Sequence, residues 1–212
     1  MIELWFDGCC GPVNPGGHAA AGTYIKQDGK KIFQHSEYVG SGSLMSSNVA
    51  EYMALVVGLR FLLARGLSHE AVIVRGDSRL VIEQMTGTWK ITAGLYVPYA
   101  QEAKRLKEHF TNLRGEWIPR ELNTRCDSLS KRPLAQRGVC MTFRHRESAS
   151  RTTPPHDAVG TQAPRHHPSK EAPRPALTER YRLEAFAHLQ SLCLNETKST
   201  LQIPAEATML QI

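Results

Sequence analysis

The segment from residue 52 to residue 64 places the strongest constraint on the fold, because it has helical length and almost no polar side chains. Residues 46–48 offer capping side chains ahead of it, Glu51 stands near its first turn, and Gly66 is placed to end the helix. A helix without a polar face has to be buried on every side. We therefore predict the central helix of an α/β domain, packed against a sheet.

Five segments carry strand patterns. The first alternates apolar and polar side chains and ends at Asp7-Gly8, whereas the fourth is a short apolar run typical of a buried strand parallel to the first. Between the second and third, Asp28-Gly29 is a strong hairpin signal. The strands are predicted at residues 2–6, 19–26, 31–39, 71–74 and 113–118.

Three further helices are predicted around these strands. Residues 78–85 continue from the fourth strand as a short helix, and apolar side chains at helical spacing mark another between Tyr96 and Phe110. A last helix is predicted to begin near Asn123. The order of elements is then β-β-β-α-β-α-α-β-α, and residues 1–137 form one domain.

Charge and composition narrow the function classes. The chain of 212 residues has a formal net charge of +6 and a pI near 9.2, which makes a polyanion a reasonable partner. No apolar run reaches the roughly 18 residues of a membrane span, and no signal peptide pattern precedes the first strand. Five cysteines without a CxxC pair favour reduced thiols. We expect a cytoplasmic protein with no membrane partner.

The chain changes in composition near residue 138. Residues 151–175 contain six prolines and few apolar groups, which predicts a disordered Pro/His/Arg-rich linker over residues 138–175. Residues 176–212 form a tail in which a segment of about 177–194 regains helical spacing. We expect this tail helix to bind an unidentified partner, and the chain itself to be a monomer.

Four acids stand where the predicted elements end or meet. Asp7 and Asp77 follow the first and fourth strands, while Glu51 and Asp127 belong to the central and last helices. Clustered carboxylates repel one another unless cations intervene, and hard oxygen donors select Mg²⁺ or Mn²⁺. Two such ions about 3.5–4 Å apart suit phosphodiester cleavage. Any one acid alone is more often a cap or a surface charge, but the four together favour a metal site.

The residues around these acids resemble the motifs of type 1 ribonuclease H, in its short form without a basic handle, over roughly residues 1–135. Each motif is common by itself, whereas four in this order are specific. The segments are Phe6-Asp7-Gly8 with residues 14–17, then residues 48–55, 77–81 and 123–130. The resemblance implies a ribonuclease H-like α/β fold, with a five-stranded mixed sheet and helices on both faces.

The resemblance also implies an activity. It indicates an endonuclease that hydrolyses the RNA strand of RNA–DNA hybrids and leaves 5′-phosphate and 3′-hydroxyl ends. Two Mg²⁺ ions per site, with Mn²⁺ as the alternative, would be held by Asp7, Glu51, Asp77 and Asp127. Duplex RNA is a second candidate partner.

Contacts to sugar and phosphate would recognise the hybrid, since the 2′-hydroxyl separates RNA from DNA. The backbone of the Gly-rich loop suits a 2′-hydroxyl, and the two serines ahead of the central helix suit a phosphate of the DNA strand. The predicted substrate contacts are Gly8, Gly11, Asn14, Ser46, Ser47, Asn48, Arg79, Trp89, Lys90, Arg120 and Asn123.

Two features depart from the better-known bacterial form of this family. A short loop follows the third motif, with no room for an extra helix and basic handle, so Trp89-Lys90 would take over part of that contact. No histidine stands in the loop before Asp127, where Arg120 or Glu121 takes its place. We expect slower turnover or a metal preference shifted toward Mn²⁺.

The main alternative is a non-catalytic nucleic-acid-binding or partner-recruiting module on the same fold, with the tail helix as its working part. A binding module has no reason to keep four carboxylates facing phosphate, which favours the enzyme. A 3′–5′ exonuclease on a related fold is set aside, because that family carries Asp-x-Glu on its first strand and Cys9 follows Asp7-Gly8 here.

Overall fold

Nine helices and strands make up the part of the chain that the structure, a computed structural model, describes, which is residues 1–140. The predicted linker beyond residue 140 and the predicted tail helix lie outside these residues. The elements are β1 Ile2–Gly11, β2 Gly16–Gln27, β3 Lys30–Gly42, α1 Ser47–Ala64, β4 Ala71–Gly76, α2 Arg79–Thr86, α3 Val97–Lys107, β5 Asn112–Trp117 and α4 Thr124–Gln136, with a short 3₁₀ turn at Arg120–Leu122.

The five strands form one mixed sheet in the order β3-β2-β1-β4-β5. β1, β2 and β3 pair antiparallel, and the hairpin between β2 and β3 turns through Asp28 and Gly29, both with positive φ. β4 pairs parallel with β1 on one side and with β5 on the other. The predicted element order and the five-stranded mixed sheet are thus confirmed.

Strand β1 runs further than its sequence pattern predicts, to Gly11 instead of ending at Asp7. The extension exists because β2 continues to pair with it, from Asp7 opposite Gly22 to Gly11 opposite His18. The parallel partner β4 pairs with β1 only as far as Trp5. Asp7 therefore lies inside a strand but just beyond the last β1–β4 pair.

Helix α1 forms the centre of the core, as its composition predicts. Ser46 caps it by accepting a hydrogen bond from the Val49 amide at 3.2 Å. Tyr52, Leu55 and Leu59 are fully buried, and burying each such side chain contributes about 1.5–3 kcal/mol. By length and composition α1 is the one helix in residues 1–140 that would suffice to cross a membrane. With 61% of it buried inside the domain, it is instead a core helix.

Helix α4 covers the opposite face of the sheet, where it packs on β1, β2 and β3. Its contact with β2 is unusually close at Gly22. A Cβ atom at that position would lie 2.6 Å from the Ser130 backbone nitrogen and 2.7 Å from the Cys126 carbonyl oxygen. The absence of a side chain at Gly22 therefore sets how near α4 approaches the sheet.

We expect Gly22→Ala to destabilise the domain by about 1–3 kcal/mol, because backbone atoms of α4 would have to move away from the new methyl group. Urea unfolding measures the change. Gly115→Ala is the control, since its Cβ would meet only side-chain ends, the nearest being Thr86 Cγ2 at 3.2 Å. An equal loss of stability in the two variants would contradict this account of α4 packing.

Candidate active site

The four predicted acids come to one region from four different elements. Asp7 lies just past the β1–β4 pairing, and Asp77 directly follows β4. Glu51 belongs to the start of α1 and Asp127 to the first turn of α4. Their charges act on one another, since Asp77 and Asp127 both raise the pKa of Asp7. The four carboxylates therefore lie close enough for their charges to interact.

Asp7 is 7% exposed. Its Oδ2 accepts a hydrogen bond of 2.6 Å from the Ser130 hydroxyl of α4. Burial raises the pKa of Asp7 to about 6, because the charged form loses hydration. The Ser130 hydrogen bond works against that rise, and the charges of Asp77 and Asp127 add to it. At neutral pH this carboxylate is thus held in its charged form at a cost.

Glu51, like Asp7, accepts a hydrogen bond from a serine hydroxyl and is shielded from solvent in part. The Ser78 hydroxyl donates to its Oε2 at 2.6 Å, and Ser78 also caps α2. Burial raises the pKa of Glu51 to about 8, opposed by the Ser78 hydrogen bond and assisted by the charges of Asp7 and Asp77. Asp7 and the half-buried Glu51 therefore favour a nearby cation.

Asn123 positions Asp77. Its amide nitrogen donates to Asp77 Oδ1 at 2.7 Å and to the Phe6 carbonyl oxygen at 2.9 Å. Asn123 is only 1% exposed, so it has no surface to offer a nucleic acid. Asn123, which was expected to contact the substrate, thus lies beneath the site, where it links the segment before α4 to strand β1.

Asp127 differs from the other three acids because cations of the chain already engage it. Arg120 donates to Oδ1 and Lys131 to Oδ2, each at 2.6 Å. Burial by itself would raise the pKa of Asp127, but the hydrogen bonds and charges of Lys131 and Arg120 outweigh it and lower the pKa below its usual value. Asp127 is therefore ionised and partly neutralised by its neighbours.

The side chains of this region carry the kind of donor atoms that bind divalent cations. Four carboxylates supply the hard oxygen ligands that Mg²⁺ and Mn²⁺ prefer. A cation would also relieve the repulsion that helps to raise the pKa values of Asp7 and Glu51. Within residues 1–140, no three His, Cys, Asp or Glu side chains stand arranged as a ready metal site.

The Gly-rich loop is joined to the start of α1 by the side chain of Asn14. Asn14 Nδ2 donates to the Ser47 hydroxyl at 2.6 Å, and the Ser47 amide donates to Asn14 Oδ1 at 3.0 Å. Ser46 uses its hydroxyl to cap α1, and Asn48 is half-buried in the first turn. Four of the expected substrate contacts therefore form one continuous surface beside Glu51.

The two predicted glycine contacts are packing positions in the structure. A Cβ at Gly8 would lie 2.2 Å from the Glu51 backbone nitrogen, so glycine here lets β1 approach α1. Gly11 is buried and pairs with His18 in the β1–β2 ladder. Gly8 thus helps to set where Glu51 stands relative to Asp7.

The remaining expected contacts lie on the surface, Arg79 at the start of α2 and Trp89 and Lys90 in the loop after it. Arg79 is 70% exposed, and its guanidinium lies 5.8 Å from the centre of the Trp117 ring. Trp117 is 47% exposed and anchors itself by donating its indole N–H to the Asp77 carbonyl oxygen at 3.1 Å. Trp89 is 46% exposed, and Lys90 is exposed beside it.

Sequence reasoning missed the side chains that hold the acids. Ser130 and Lys131 stand three and four residues after Asp127, a spacing that places them on the same helix face. Ser78 directly follows Asp77, and Trp117 ends the last strand ahead of the fourth motif. Helical spacing was the available signal for Ser130 and Lys131, but only the docking of α4 shows that Ser130 reaches Asp7.

Comparison with known proteins defines the class. A model of the reverse transcriptase-like family matches residues 6–133 of this chain. The chain therefore belongs to that family, and it carries a ribonuclease H-like domain related to type 1 ribonuclease H.

Individual relatives agree with this assignment. The chain is 28% identical over 157 residues to the bifunctional protein Rv2228c of Mycobacterium tuberculosis, covering 74% of this chain and 39% of that protein. It is 29% identical over 133 residues to ribonuclease HI of Halobacterium salinarum, covering 63% of this chain and 64% of the relative. The chain thus spans less than two thirds of the length of either relative.

Solved structures show the same fold. The ribonuclease H1 of Halobacterium salinarum NRC-1 superposes with a TM-score of 0.57 at 28% identity, over 64% of this chain and 98% of that one. LC11-RNase H1 in complex with an RNA/DNA hybrid superposes with a TM-score of 0.55 at 32% identity, over 61% of this chain and 93% of that one.

The raised pKa of Asp7 predicts that the protein without divalent ions loses stability as pH rises. The folded pKa of about 6 exceeds the ordinary value of 3.8. The folded state therefore binds this proton more tightly than the unfolded state, and the contribution of Asp7 to stability falls between about pH 4 and pH 6, while that of Glu51 falls up to about pH 8. Asp7→Asn should remove that loss and gain up to about 3 kcal/mol over the wild type above pH 6.

Urea unfolding in EDTA from pH 4 to pH 8 measures this effect as the difference between variant and wild type. Glu121→Gln, an exposed acid on the 3₁₀ turn, is the control and should follow the wild type. A pH-independent difference between Asp7→Asn and the wild type would show that burial does not perturb this carboxylate.

Proposed function

We propose that this protein is an endonuclease that hydrolyses the RNA strand of RNA–DNA hybrids and leaves 5′-phosphate and 3′-hydroxyl ends. The observation that carries the proposal is the meeting of four carboxylates from β1, α1, β4 and α4 at one edge of a ribonuclease H-like sheet. Membership of the family and the likeness to LC11-RNase H1, which was solved with an RNA/DNA hybrid, support the same substrate.

Asp7, Glu51, Asp77 and Asp127 would hold two divalent ions, Mg²⁺ or Mn²⁺. When bound, such ions supply an activated water and stabilise the leaving oxygen of the phosphodiester. The chain contributes the preorganisation of the ligands: Ser130 fixes Asp7, Ser78 fixes Glu51 and Asn123 fixes Asp77, each through a hydrogen bond of 2.6 or 2.7 Å. Fixed donors are what a metal site needs from its surroundings.

Arg120 and Lys131 place positive charge next to the four acids. Both lie against Asp127, and the positive charge of Arg120 also lowers the pKa values of Asp7 and Glu51. A cation next to the acids attracts the phosphate of an incoming strand. Arg120 stands in the loop where the bacterial form has a histidine, and we infer slower turnover or a preference for Mn²⁺ from that change.

Selection of a hybrid would come from contacts to sugar and phosphate. The linked side chains of Asn14 and Ser47, with Asn48 beside them, present polar groups next to Glu51. Arg79 and Trp117 form a second exposed pair on the other side of Asp77. Because these groups do not read base edges, we expect little sequence preference, and duplex RNA is a second candidate substrate.

One observation favours a non-catalytic module as the second candidate. Asp127 is engaged by two cations of its own chain, so in this arrangement it is not free to act as a ligand. If these ion pairs persist when nucleic acid binds, the domain would bind a hybrid without cutting it.

The decisive assay is cleavage of a labelled RNA–DNA hybrid in Mg²⁺ or Mn²⁺, beside duplex RNA, duplex DNA and single strands. We expect cutting confined to the RNA strand of the hybrid. Asp7→Asn should reduce the rate by at least a thousandfold while retaining or strengthening hybrid binding, because a negative charge leaves the phosphate site. Asp28→Asn, an exposed acid in the β2–β3 turn, is the matched control and should cut like the wild type.

Cleavage by Asp7→Asn at the wild-type rate would refute the assignment of Asp7 as a ligand. Tight binding with no cleavage in either metal would favour the recruiting module.

A further prediction concerns the division of the chain. Removing residues 141–212 should leave a folded domain with the same cleavage products, because the core and all four acids lie within residues 1–140. Circular dichroism, thermal unfolding and the hybrid assay measure these properties. Loss of folding or of cleavage on truncation would show that the tail belongs to the catalytic unit.

A further inference from the structure

A pocket lies beyond the candidate active site, where the C-terminal end of α4 meets the ends of β2 and β3. Its volume is about 580 Å³, and it is open to solvent on one side. The lining residues are Pro12, His18, Tyr38, Arg137, Gly138, Val139 and Cys140.

An aromatic ring and a cation form one wall of this pocket. The Arg137 guanidinium lies 3.9 Å from the centre of the Tyr38 ring. The Tyr38 hydroxyl is hydrogen-bonded to His18 Nδ1 at 2.8 Å, and the two rings stand 5.9 Å apart. Among residues 1–140, no carboxylate forms an ion pair with Arg137. The pocket therefore carries a positive charge that the described chain does not neutralise.

The pocket is aligned with the candidate active site along α4. Arg137, which caps the C-terminal end of α4, follows Ser130 by seven residues, a distance of about two helical turns or 10 Å along the axis. Ser130 is the residue that holds Asp7. At the other wall, Pro12 belongs to the same Gly-rich loop as Asn14, which contacts the start of α1. A strand that passes the acids can therefore continue over this loop into the pocket.

We propose that this pocket binds a nucleotide of the same nucleic acid outside the cleaved step, with its phosphate on Arg137 and its sugar or base against Tyr38. The proposal rests on the proposed function for the identity of the strand. A separation of about 10 Å along the axis of a bound duplex corresponds to roughly three nucleotides, because each strand carries one phosphate per 3.4 Å of that axis. A cation combined with an aromatic ring is how grooves track nucleic-acid backbones without reading sequence.

The test is the affinity and its salt dependence for an 18-base-pair hybrid, measured by fluorescence anisotropy on the full chain in the Asp7→Asn background. Arg137→Ala should weaken binding about three- to tenfold and make the slope of log K against log salt shallower by about one, as expected for one lost phosphate contact. Arg137→Lys should retain most of that slope. Arg132→Ala is the matched control, because it removes the same charge from an exposed position of α4 outside the pocket.

A second measurement locates the contact. A hybrid with a thiol-reactive tether on its backbone, about three nucleotides from the cleaved step, should crosslink to Cys140 at the rim of the pocket. The crosslink should disappear in Cys140→Ser and keep its yield in Cys126→Ser, because Cys126 lies on the buried face of α4. Crosslinking that survives Cys140→Ser would place the strand elsewhere and overturn the proposal.

Three outcomes of the binding experiment would also overturn it: an unchanged affinity and slope in Arg137→Ala, an equal loss in Arg132→Ala, or an effect of Arg137→Ala that appears only after residues 141–212 are removed. Binding that depends on Arg137 without any cleavage by the wild type would sink the proposed function and leave this site standing. Failure of the wild type to bind any nucleic acid would sink both.

Discussion

The close contact between α4 and strand β2 at Gly22 is the interaction on which the candidate site depends. Because no side chain separates the two backbones, α4 lies near enough for Ser130 to reach Asp7. The same helix brings in Asp127 and Lys131. A wider separation would leave Asp7 buried without its hydroxyl donor, and the carboxylates of β1 and α4 would no longer face one region. The packing of α4 on the sheet therefore also determines the geometry of the candidate site.

The site is arranged at a cost to stability. Burial raises the pKa values of Asp7 and Glu51, and the charge of Asp77 raises both further. Single hydrogen bonds from Ser130 and Ser78 offset only part of this, since a hydrogen bond to a charged group contributes about 1.5–3 kcal/mol. Strain of this kind is common where function requires like charges to meet. The apolar core around α1 supplies the stability that tolerates it.

Cationic side chains surround the acids on several sides. Arg120 and Lys131 neutralise Asp127 at the centre, Arg79 lies over Trp117 on one side, and Arg137 lies over Tyr38 at the far end of α4. Arg137 forms no ion pair with a carboxylate among residues 1–140, which leaves it able to bind phosphate, whereas Arg79 also lies 3.8 Å from Glu83. This arrangement, with basic and aromatic side chains around an acidic centre, suits a polyanionic ligand. One phosphate of that ligand would bind metal at the acids, and the others would contact the surrounding cations.

The sequence by itself determined the element order, the buried central helix, the hairpin at Asp28-Gly29 and the four acids, because hydrophobic period, turn chemistry and residue type are local properties. It predicted β1 to end at Asp7, since local alternation stops there, but pairing with β2 extends the strand to Gly11. It also predicted Asn123 to contact substrate, whereas the fold buries its amide between Phe6 and Asp77. Which hydroxyl or amide group donates to Asp7, Glu51 and Asp77 depended on how α1 and α4 dock on opposite faces of the sheet. Those contacts join residues 27 to 123 positions apart, and no local pattern encodes such distances, so only the tertiary structure decided them.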